Sequence, residues 1–495
     1  MSGINWEALA VAYQQRCGQQ TVRASQSPYQ FQRPGSPLFP SELALRPYQH
    51  EAVLSWFHQQ GRGMLKMATG SGKTITALAI TTELYEKIGL QVLLVVCPSR
   101  HLVTQWAREC EPFNLQPILA FERVEHWQRD LSRQLYQLRH RRQDFLTILT
   151  TNATFVKDGF QSQLPYFPEK TLLVGDEAHH LGSPRLLACL PAQIGLRLGL
   201  SATPERYFDE TGTDAIFAYF GQTLTPQFTL ADAIAQGALV PYCYYPLFVE
   251  LTASEALAYA KLTHRIGWAL AENPHLNHNE TLTSLLMQRS RLVGTAENKL
   301  PTLARLMSTR LDTSHTLFYC GDGAIETVSH GIHRQVAAVT RLLGHELGIR
   351  VHSYTAETPL TEREKLRKQL ESGDLQGLVA IHCLDEGVDI PAIRQAVILA
   401  STGNPRQFIQ RRGRVLRPHP GKTEATIFDM IVIPPQLDRE TWEVERNLLR
   451  KELKRFLEFA KLAQNADSAT EKLIRLQEQY ELNSSILGSN EVECD

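Results

Sequence analysis

Short apolar runs bounded by turn residues, which alternate with helix-like stretches, constrain the fold of this 495-residue chain more than any other feature. One series lies within residues 45–225 and comprises QVLLVVCP, FLTILTT, TLLVGDE and GLRLGLSAT. A second series begins near residue 315 with HTLFYCGDG, IRVHSYTAE, QGLVAIHCLD, QAVILAST and EATIFDMIVI. Such runs are typical of parallel strands buried on both faces, and their alternation with helices indicates βαβ units. The sequence therefore predicts an α/β fold with two doubly wound parallel sheets.

The chain is longer than one ordinary core, because domains contain roughly 100 to 200 residues. We predict an N-terminal extension at 1–44, a first parallel-sheet domain at 45–225, a mostly helical linker or insertion at 226–300, a second parallel-sheet domain at 301–435 and a helical tail at 436–495. The extension and the tail are candidate partner-binding surfaces, and RKELKRFLEFAKLA in the tail is the best candidate. The alternative is an ordinary helix packed on the second domain, because apolar residues recur there at helical spacing: Leu449, Leu453, Phe456, Leu457 and Ala460.

Composition excludes several classes of protein. With 43% hydrophobic and 21% charged residues, the chain has the composition of a globular protein. Its 51 basic and 52 acidic side chains nearly cancel, so a nucleic-acid surface would have to be a local patch. Eight cysteines show no CxxC pair or Cys/His cluster, which favours reduced thiols over a zinc or iron–sulfur site. We expect a cytoplasmic protein, since neither a leader pattern nor an apolar run of about 18 residues occurs.

The motif MATGSGKT, residues 67–74, precedes a predicted helix and has the composition of a phosphate-binding loop. Its glycines allow backbone N–H groups to approach phosphate oxygens at the positive end of the helix. Lys73 is placed to reach the β- and γ-phosphates and Thr74 to ligate Mg²⁺. The motif departs from GxxxxGK[ST] at Met67, and a Gly/Ser turn before a helix is the alternative. The candidate nucleotide-binding residues of the loop are Thr69, Gly70, Ser71, Gly72, Lys73 and Thr74.

Two adjacent carboxylates follow the apolar run TLLVGDEAHH, where ligand sites form in open parallel sheets. Asp176 can hold Mg²⁺, while Glu177 can orient and deprotonate an attacking water molecule. The alternative is a solvated cluster of acidic residues at a helix start. His179 and His180 are adjacent, so their imidazoles point in different directions. This favours coupling or packing over zinc binding.

Together, these motifs resemble those of the DEAD/DEAH-box proteins of helicase superfamily 2, over residues 45–434. The resemblance implies two RecA-like domains that clamp ATP in their cleft and bind nucleic acid across their top. It also explains Met67, because ATGSGKT is a common form in this superfamily. QRRGRVLRP matches the motif that carries arginine fingers, which places Gln410, Arg414 and Arg417 at helical spacing on one face. A basic surface helix is the alternative interpretation.

Further motifs carry the resemblance into nucleotide recognition. LRPYQHEAV resembles the adenine-reading segment, with Gln49 as the candidate that hydrogen-bonds the base and Arg46 as its helper. The alternative is that Pro47 merely starts a helix. CLDEGVDIP resembles the motif that faces both ATP and nucleic acid, and places Gly387 and Asp389 near the ribose. An acidic turn at a strand end is the alternative there.

Other motifs imply coupling and nucleic-acid contact. LGLSATPER resembles the motif that links the ATP state to domain movement, which gives Ser201 and Thr203, with His179, a coupling role. A hydroxyl cap at a strand end is the alternative. VVCPSRHLVTQW resembles a motif that contacts the nucleic-acid backbone through Ser99 and Arg100, and Thr151 is a further candidate. A solvated loop is the alternative for Ser99 and Arg100.

The branch of the superfamily is indicated by DEAH followed by a second histidine, by LVTQW and by GDLQGLVAIHCLDEGVDIPAIRQAVILAS. These resemble type III restriction and XPB-like helicases, although the Arg-Glu-Asp string of XPB-like proteins is absent. The resemblance implies an ATP- and Mg²⁺-dependent DNA helicase or translocase, with DNA favoured over RNA. A bacterial restriction, phage-defence or repair system is its expected setting. No region resembles a nuclease, so any DNA cleavage is expected from a separate subunit.

Two alternative functions remain, and a third is disfavoured. The chain could be an ATP-gated nucleic-acid sensor or assembly platform that closes without separating strands. It could also be an RNA helicase. An unrelated P-loop phosphotransferase is disfavoured, because it leaves the second sheet and QRRGRVLRP unexplained.

Overall fold

The computed structural model describes two compact units, one formed by residues up to Ala233 and the other by residues from Ile234 onward. The described residues are 4–19, 34–206, 209–272, 280–321, 323–327, 331–355, 357–381, 390–400, 413–433, 435, 445–446, 449–450, 453, 456–480 and 482. The predicted site residues Gly387, Asp389 and Gln410 lie outside them.

A six-stranded parallel sheet forms the centre of the first unit, with the strand order β1-β6-β5-β2-β4-β3. Its strands are β1 (Arg62–Lys66), β2 (Val92–Cys97), β3 (Pro117–Ala120), β4 (Leu146–Thr151), β5 (Thr171–Asp176) and β6 (Leu196–Ser201). Every residue of β2, β4, β5 and β6 is buried. This burial explains why these four strands are near-continuous apolar runs in the sequence.

Helices surround this sheet, and one hydrophobic core joins strand residues such as Leu94 and Ile148 to helix residues such as Leu131. The helices are α1 (Trp6–Gln19), α2 (Pro47–His58), α3 (Lys73–Ile88), α4 (Arg100–Cys110), α5 (Val124–Arg139), α6 (Asn152–Phe155), α7 (Asp158–Gln161), α8 (Pro184–Leu187), α9 (Glu210–Phe220) and α10 (Leu230–Ala235). In the N-terminal extension, α1 packs on α2, where Tyr13 Oη lies 2.8 Å from Nδ1 of His50.

The second unit contains another six-stranded parallel sheet, in the order β11-β12-β8-β13-β14-β7. Its strands are β7 (Tyr242–Glu250), β8 (Thr316–Cys320), β11 (Val351–Tyr354), β12 (Gly377–Ile381), β13 (Gln395–Ile398) and β14 (Ala425–Ile433); β9 (Ala324–Thr327) and β10 (Gly331–Arg334) form a separate hairpin. Helices with bounds in the described residues are α11 (Ala253–Glu272), α12 (Glu280–Gly294), α13 (Lys299–Ser308), α14 (Gln335–Arg341), α15 (Leu360–Ser372) and α16 (Ala466–Gln479). The predicted pair of doubly wound parallel sheets is thus confirmed.

One strand of the second sheet lies where the sequence indicated a mostly helical segment. Residues 242–250 form β7, which pairs in parallel with β14 along its whole length. The strand contains Pro246, which cannot donate to a sheet and is therefore restricted mainly to edge strands. β7 is such an edge strand. The helical character predicted for 226–300 is otherwise present as α10, α11, α12 and the start of α13.

Apolar residues of the C-terminal tail are buried, including all five that showed helical spacing in the sequence. The ring of Phe459 stacks on that of Tyr242 in β7 at 4.3 Å, and Tyr242 Oη donates to the Phe459 carbonyl at 2.6 Å. This part of the tail therefore packs on the second unit, as the alternative interpretation has it. None of the helices in the described parts of the chain is long and apolar enough to cross a membrane.

Candidate active site

Three neighbouring strands of the first sheet end side by side, and each is followed by a predicted site motif. Lys66, the last residue of β1, pairs with Ser201, the last residue of β6, and Asp176 at the end of β5 pairs with Leu200. Three motifs therefore start within one residue of each other at the carboxyl edge of the sheet. They are the phosphate-binding loop, the Ser201 segment and the carboxylates. This edge is where ligands bind in open parallel sheets.

The loop between β1 and α3 has the backbone that a phosphate-binding loop requires. Gly70 and Gly72 have φ angles of 87° and 86°, a left-handed conformation that other residues rarely adopt. Gly72 directly precedes α3, so the positive end of that helix faces the loop. Ser71 Oγ donates to the Ala68 carbonyl at 2.7 Å, and Lys73 Nζ donates to the Met67 carbonyl at 3.1 Å.

Side chains at the start of α2 hold this loop from outside. Gln49 Oε1 accepts from the backbone N–H of Arg46 at 2.8 Å, while its Nε2 donates to the Gly72 carbonyl at 3.2 Å. Tyr48 Oη donates to the Ser71 carbonyl at 2.6 Å. Burial raises the pKa of Tyr48, so its hydroxyl stays a donor. Pro47 begins α2, as the alternative interpretation of this segment has it. Gln49 nevertheless also contacts the phosphate-binding loop.

Tyr48 and Phe228 are two residues near the loop that the motifs did not identify. Their rings stack at 3.7 Å with an interplanar angle of 16°. The Phe228 N–H donates to the Lys66 carbonyl at 3.1 Å, and the Ala68 N–H donates to the Phe228 carbonyl at 2.8 Å. The backbone at the start of the loop is thus fixed by a segment about 160 residues later in the chain.

The carboxylate of Asp176 is buried, and each of its oxygens accepts a hydrogen bond. Trp106 Nε1 donates to Oδ2 at 2.9 Å, and the backbone N–H of Glu177 donates to Oδ1 at 3.0 Å. Glu177 itself has a φ of 45°, a conformation that costs energy for a non-glycine residue and is often found at functional sites. Trp106 was missed as a site residue, although it lies in LVTQW, the string used to choose the branch of the superfamily.

His179 lies between the carboxylates and the end of β6. Its Nδ1 is 3.3 Å from Ser201 Oγ and 3.5 Å from Glu177 Oε2, while Ser201 Oγ accepts from the Thr203 N–H at 3.1 Å. The structure therefore brings together the three predicted coupling residues. Among the described residues, no group of three or more His, Cys, Asp or Glu side chains could hold a metal ion.

The predicted nucleic-acid contacts follow β2 and β4, which are neighbours and end in register at Cys97 and Thr151. Ser99 directly precedes α4, and the exposed guanidinium of Arg100 pairs with Glu122 at 2.9 Å. Thr151 Oγ1 accepts from the Thr154 N–H at 3.2 Å and so caps α6. Helix capping accounts for Thr151 without any ligand, whereas the Arg100 side chain is exposed and pairs with Glu122.

In the second unit, the arginine motif is only partly helical. Residues 413–415 are helical and the next residue begins a turn, so Arg417 lies beyond the helix. The prediction that Arg417 shares a helical face with Arg414 is therefore wrong. Pro418 gives the physical reason, because the residue before a proline is disfavoured in helical conformation. Arg414 is buried, and Arg417 is half-buried.

The first unit offers a suitable set of groups for a nucleotide with Mg²⁺. Thr74 is half-buried, and its hydroxyl and the Asp176 carboxylate are the hard oxygen donors that Mg²⁺ prefers. Thr69 Oγ1 is buried and has no hydrogen-bond partner among the described residues, although it lies in the loop. A Cβ atom at Gly72 would lie 2.7 Å from Gln49 Nε2, so the close approach depends on glycine.

Comparisons with known proteins agree with this geometry. The family described as "Type III restriction enzyme, res subunit" matches residues 42–206, and "Helicase conserved C-terminal domain" matches residues 321–419. A protein of Sulfurisphaera tokodaii described as "DNA 3'-5' translocase XPB2" is 25% identical over 77% of this chain and 80% of that protein. The chain belongs to helicase superfamily 2, in its XPB/res branch.

Other relatives of this superfamily 2 helicase are longer. "Putative DNA 3'-5' helicase Rad25" of Halobacterium salinarum is 28% identical over 76% of the chain and 52% of that protein. The solved structure of the ATP-dependent Type ISP restriction-modification enzyme LlaBIII bound to DNA is similar over 88% of the chain and 33% of that chain, at 18% identity and a TM-score of 0.55. This likeness concerns the fold, which comprises two RecA-like domains. The chain spans about half the length of the haloarchaeal relative and a third of the restriction enzyme.

Proposed function

We propose that this helicase is an ATP-driven DNA translocase, and that it acts on DNA rather than RNA. The observation that carries the proposal is the shared carboxyl edge of β1, β6 and β5, which holds the phosphate loop, Ser201 and Asp176 in register. The family assignment implies ATP binding and hydrolysis. Two relatives are described as a DNA translocase and a putative DNA helicase, which supports DNA as the track.

In the proposed reaction, the first unit binds ATP and activates water. Lys73 binds the β- and γ-phosphates, while Gln49 and its helper Arg46 recognise the base. Glu177 takes a proton from the attacking water, and the water oxygen bonds to the γ-phosphorus as the bond to the β–γ bridging oxygen breaks and ADP leaves. Thr74 and Asp176 would hold Mg²⁺, which would supply positive charge against the negative charge of the phosphoryl oxygens.

The resemblance implies that residues of the second unit supply the remaining groups for hydrolysis. The guanidinium groups of Arg414 and Arg417 stabilise the charge on the γ-phosphoryl group, and such fingers are worth about 10³- to 10⁵-fold in rate. Gln410, Gly387 and Asp389 are assigned to this site by the resemblance alone. Because one unit holds the phosphates and the other carries the arginines, hydrolysis in this proposal is tied to domain movement.

DNA contact is proposed at the same edge of the first sheet, beside the nucleotide. Ser99 and Arg100 at the start of α4, with Thr151 after β4, are the candidate backbone contacts. α4 also carries Trp106, which hydrogen-bonds Asp176. A shift of α4 on DNA binding would therefore be felt at the carboxylate. A second route is proposed to couple the ATP state to domain movement. It consists of His179, Ser201 and Thr203.

The Glu177→Gln variant tests the motor against the sensor alternative. This change removes the proposed base and keeps the side-chain size, so ATP stays bound and is not cleaved. We expect wild-type protein to displace a third strand from a DNA triplex with ATP, and the variant to lose this activity. Matching displacement by the variant would contradict translocation. ATP-dependent DNA binding that persists in the variant, combined with no displacement by wild type, would support the sensor.

A bacterial restriction, phage-defence or repair system is the setting that the resemblance favours. The two parallel-sheet domains and the helical segments account for the described chain, so we propose that any DNA cleavage comes from a separate nuclease subunit. Incubating purified protein with ATP and plasmid DNA tests this point. Intact plasmid is the expected result, and linear or nicked products that require Glu177 would contradict it.

A further inference from the structure

A buried lysine holds the backbone of the arginine-bearing segment in the second unit. Lys422 is 7% exposed, and its Nζ donates to the carbonyls of Val415 at 2.6 Å, Arg417 at 2.8 Å and Pro391 at 3.1 Å. An ammonium group has three N–H donors, and three carbonyl oxygens of described residues lie within hydrogen-bonding distance of this one. Hydrogen bonds to a charged group are stronger than neutral ones, particularly where water is excluded.

The local fold explains how Lys422 reaches this position. The chain turns after Pro418, with the Lys422 N–H donating to the His419 carbonyl at 2.9 Å and Gly421 at a φ of 74°. The turn directs the lysine side chain back toward the segment that it has just left. A positive φ of this size favours glycine, so the turn is encoded in the sequence PHPGK.

The backbone carbonyls of the three residues after Arg414 each accept a hydrogen bond. Those of Val415 and Arg417 accept from Lys422, and that of Leu416 accepts from the Val240 N–H at 2.8 Å. The side chains of Val415 and Leu416 are fully buried. The backbone between Arg414 and Arg417 is therefore held from both sides.

The third acceptor links two motifs. Pro391 ends the segment CLDEGVDIP, which resembles the motif that faces both ATP and nucleic acid. Lys422 thus joins the end of that motif to the end of the arginine motif. We propose that Lys422 is a positioning residue for ATP hydrolysis, which fixes the backbone from which Arg414 and Arg417 act. This proposal rests on the proposed function of the two arginines.

Lys422→Met tests the role, because methionine keeps much of the side-chain volume but cannot donate to the carbonyls. A misplacement of about 1 Å can cost about 100-fold in rate, so we expect the DNA-stimulated kcat to fall about 10- to 100-fold. Arginine fingers act on the transition state, so affinity for ADP–aluminium fluoride should fall by a similar factor. Affinity for the ground-state analogue AMP-PNP should stay within about twofold.

Lys299→Met is the matched control in the same unit. Lys299 is also buried, and its Nζ donates to two carbonyls, those of Val293 at 2.6 Å and Gly294 at 3.2 Å, which belong to α12. Loss of folding stability alone would affect both variants in the same way. We expect only Lys422→Met to lose affinity for ADP–aluminium fluoride. Equal losses in the two variants would overturn the positioning role.

The double variant Lys422→Met/Arg417→Ala completes the test. If Lys422 acts through the arginine segment, the loss in the double variant should be smaller than the product of the two single losses, because only Arg414 then remains to be misplaced. If the rate losses of the two single variants multiply in the double variant, the proposal is overturned.

Should Lys422→Met fail to fold, Lys422→Gln gives the same comparison, since its shorter side chain cannot reach all three carbonyls. Wild-type protein without DNA-stimulated ATPase activity would refute the proposed function, whereas an active wild type with a fully active Lys422 variant would refute only this inference.

Discussion

The indole N–H of Trp106 donates a 2.9 Å hydrogen bond to Oδ2 of Asp176, and this bond joins two candidate functional segments at one sheet edge. Trp106 lies on α4, which begins beside the candidate DNA contacts, and Asp176 ends β5 beside the phosphate loop. The two residues are 70 positions apart in the sequence. The bond therefore provides a short physical path from DNA contact to the proposed metal ligand.

Trp106→Phe keeps the ring and removes the donor, so it should weaken the binding of Mg²⁺ by Asp176. Loss of such a supporting hydrogen bond typically costs about 10- to 100-fold in metal affinity, and we expect the Mg²⁺ concentration for half-maximal ATPase activity to rise by about tenfold. The control is Trp56→Phe, because the buried Trp56 indole donates to the Arg197 carbonyl at 3.1 Å, at the opposite edge of the sheet. An identical Mg²⁺ dependence in the two variants would contradict this role.

Gly72→Ala should abolish tight nucleotide binding. The new Cβ would lie 2.7 Å from Gln49 Nε2, and the φ of 86° would strain alanine. Gly89→Ala is the control, since Gly89 ends the same helix with a φ of 65° and its Cβ would only meet Lys170 Nζ at 3.8 Å. Both variants should lose about 1 to 2 kcal/mol of stability, but only Gly72→Ala should lose at least about tenfold in affinity for a fluorescent ATP analogue. Equal nucleotide affinities would exclude a special role for Gly72.

Ser201→Ala should reduce the number of triplexes displaced for each ATP hydrolysed. The change removes the hydroxyl that contacts His179 at 3.3 Å and accepts from the Thr203 N–H at 3.1 Å. A hydrogen bond worth about 1.4 kcal/mol corresponds to a factor of about ten, which is the loss that we expect in this ratio. Thr82→Ala removes a buried hydroxyl inside α3 and should leave the ratio unchanged. An unchanged ratio in Ser201→Ala would contradict the coupling role.

Lys299 gives a prediction about pH. Burial lowers the pKa of Lys299 from 10.5 to about 7, although nearby Asp429 opposes this shift. Between these two values the unfolded state holds the proton and the folded state does not, so folding stability from this group rises with pH. Wild type should therefore gain stability relative to Lys299→Met as the pH rises from about 7 to about 10. Thermal melts of both proteins across this range measure the difference, and a constant gap would contradict the shifted pKa.

Buried central strands were predictable from the sequence, whereas the edge strands β3 and β7 were not. β2, β4, β5 and β6 are buried along their whole length, so each is an apolar run that needs no other information. β3 has only four residues, and β7 contains a proline and both buried and exposed positions. Such strands depend on a neighbour for their conformation, and that neighbour is distant in sequence.

The same distinction applies to the candidate site. Lys73 and Asp176 lie in contiguous motifs whose residue types already suit their chemistry. Tyr48, Trp106 and Lys422 hydrogen-bond to carbonyl or carboxylate groups that only the fold brings near, and no local pattern identifies these contacts. Arg417 shows the limit of predictions from residue spacing. Its spacing from Arg414 predicted that both lie on one helix, but that helix ends before Arg417.

The central claim is that DNA drives ATP hydrolysis at the phosphate loop of Lys73. The direct test measures the ATPase turnover of the wild-type chain side by side with double-stranded DNA, single-stranded DNA and RNA, with Lys73→Ala as the control. We predict that DNA raises turnover at least about tenfold over the protein alone, that RNA does not, and that Lys73→Ala is inactive throughout. Stimulation by RNA alone would favour the RNA-helicase alternative. A folded wild type that neither nucleic acid stimulates, or a Lys73→Ala variant that still hydrolyses ATP, would contradict the account.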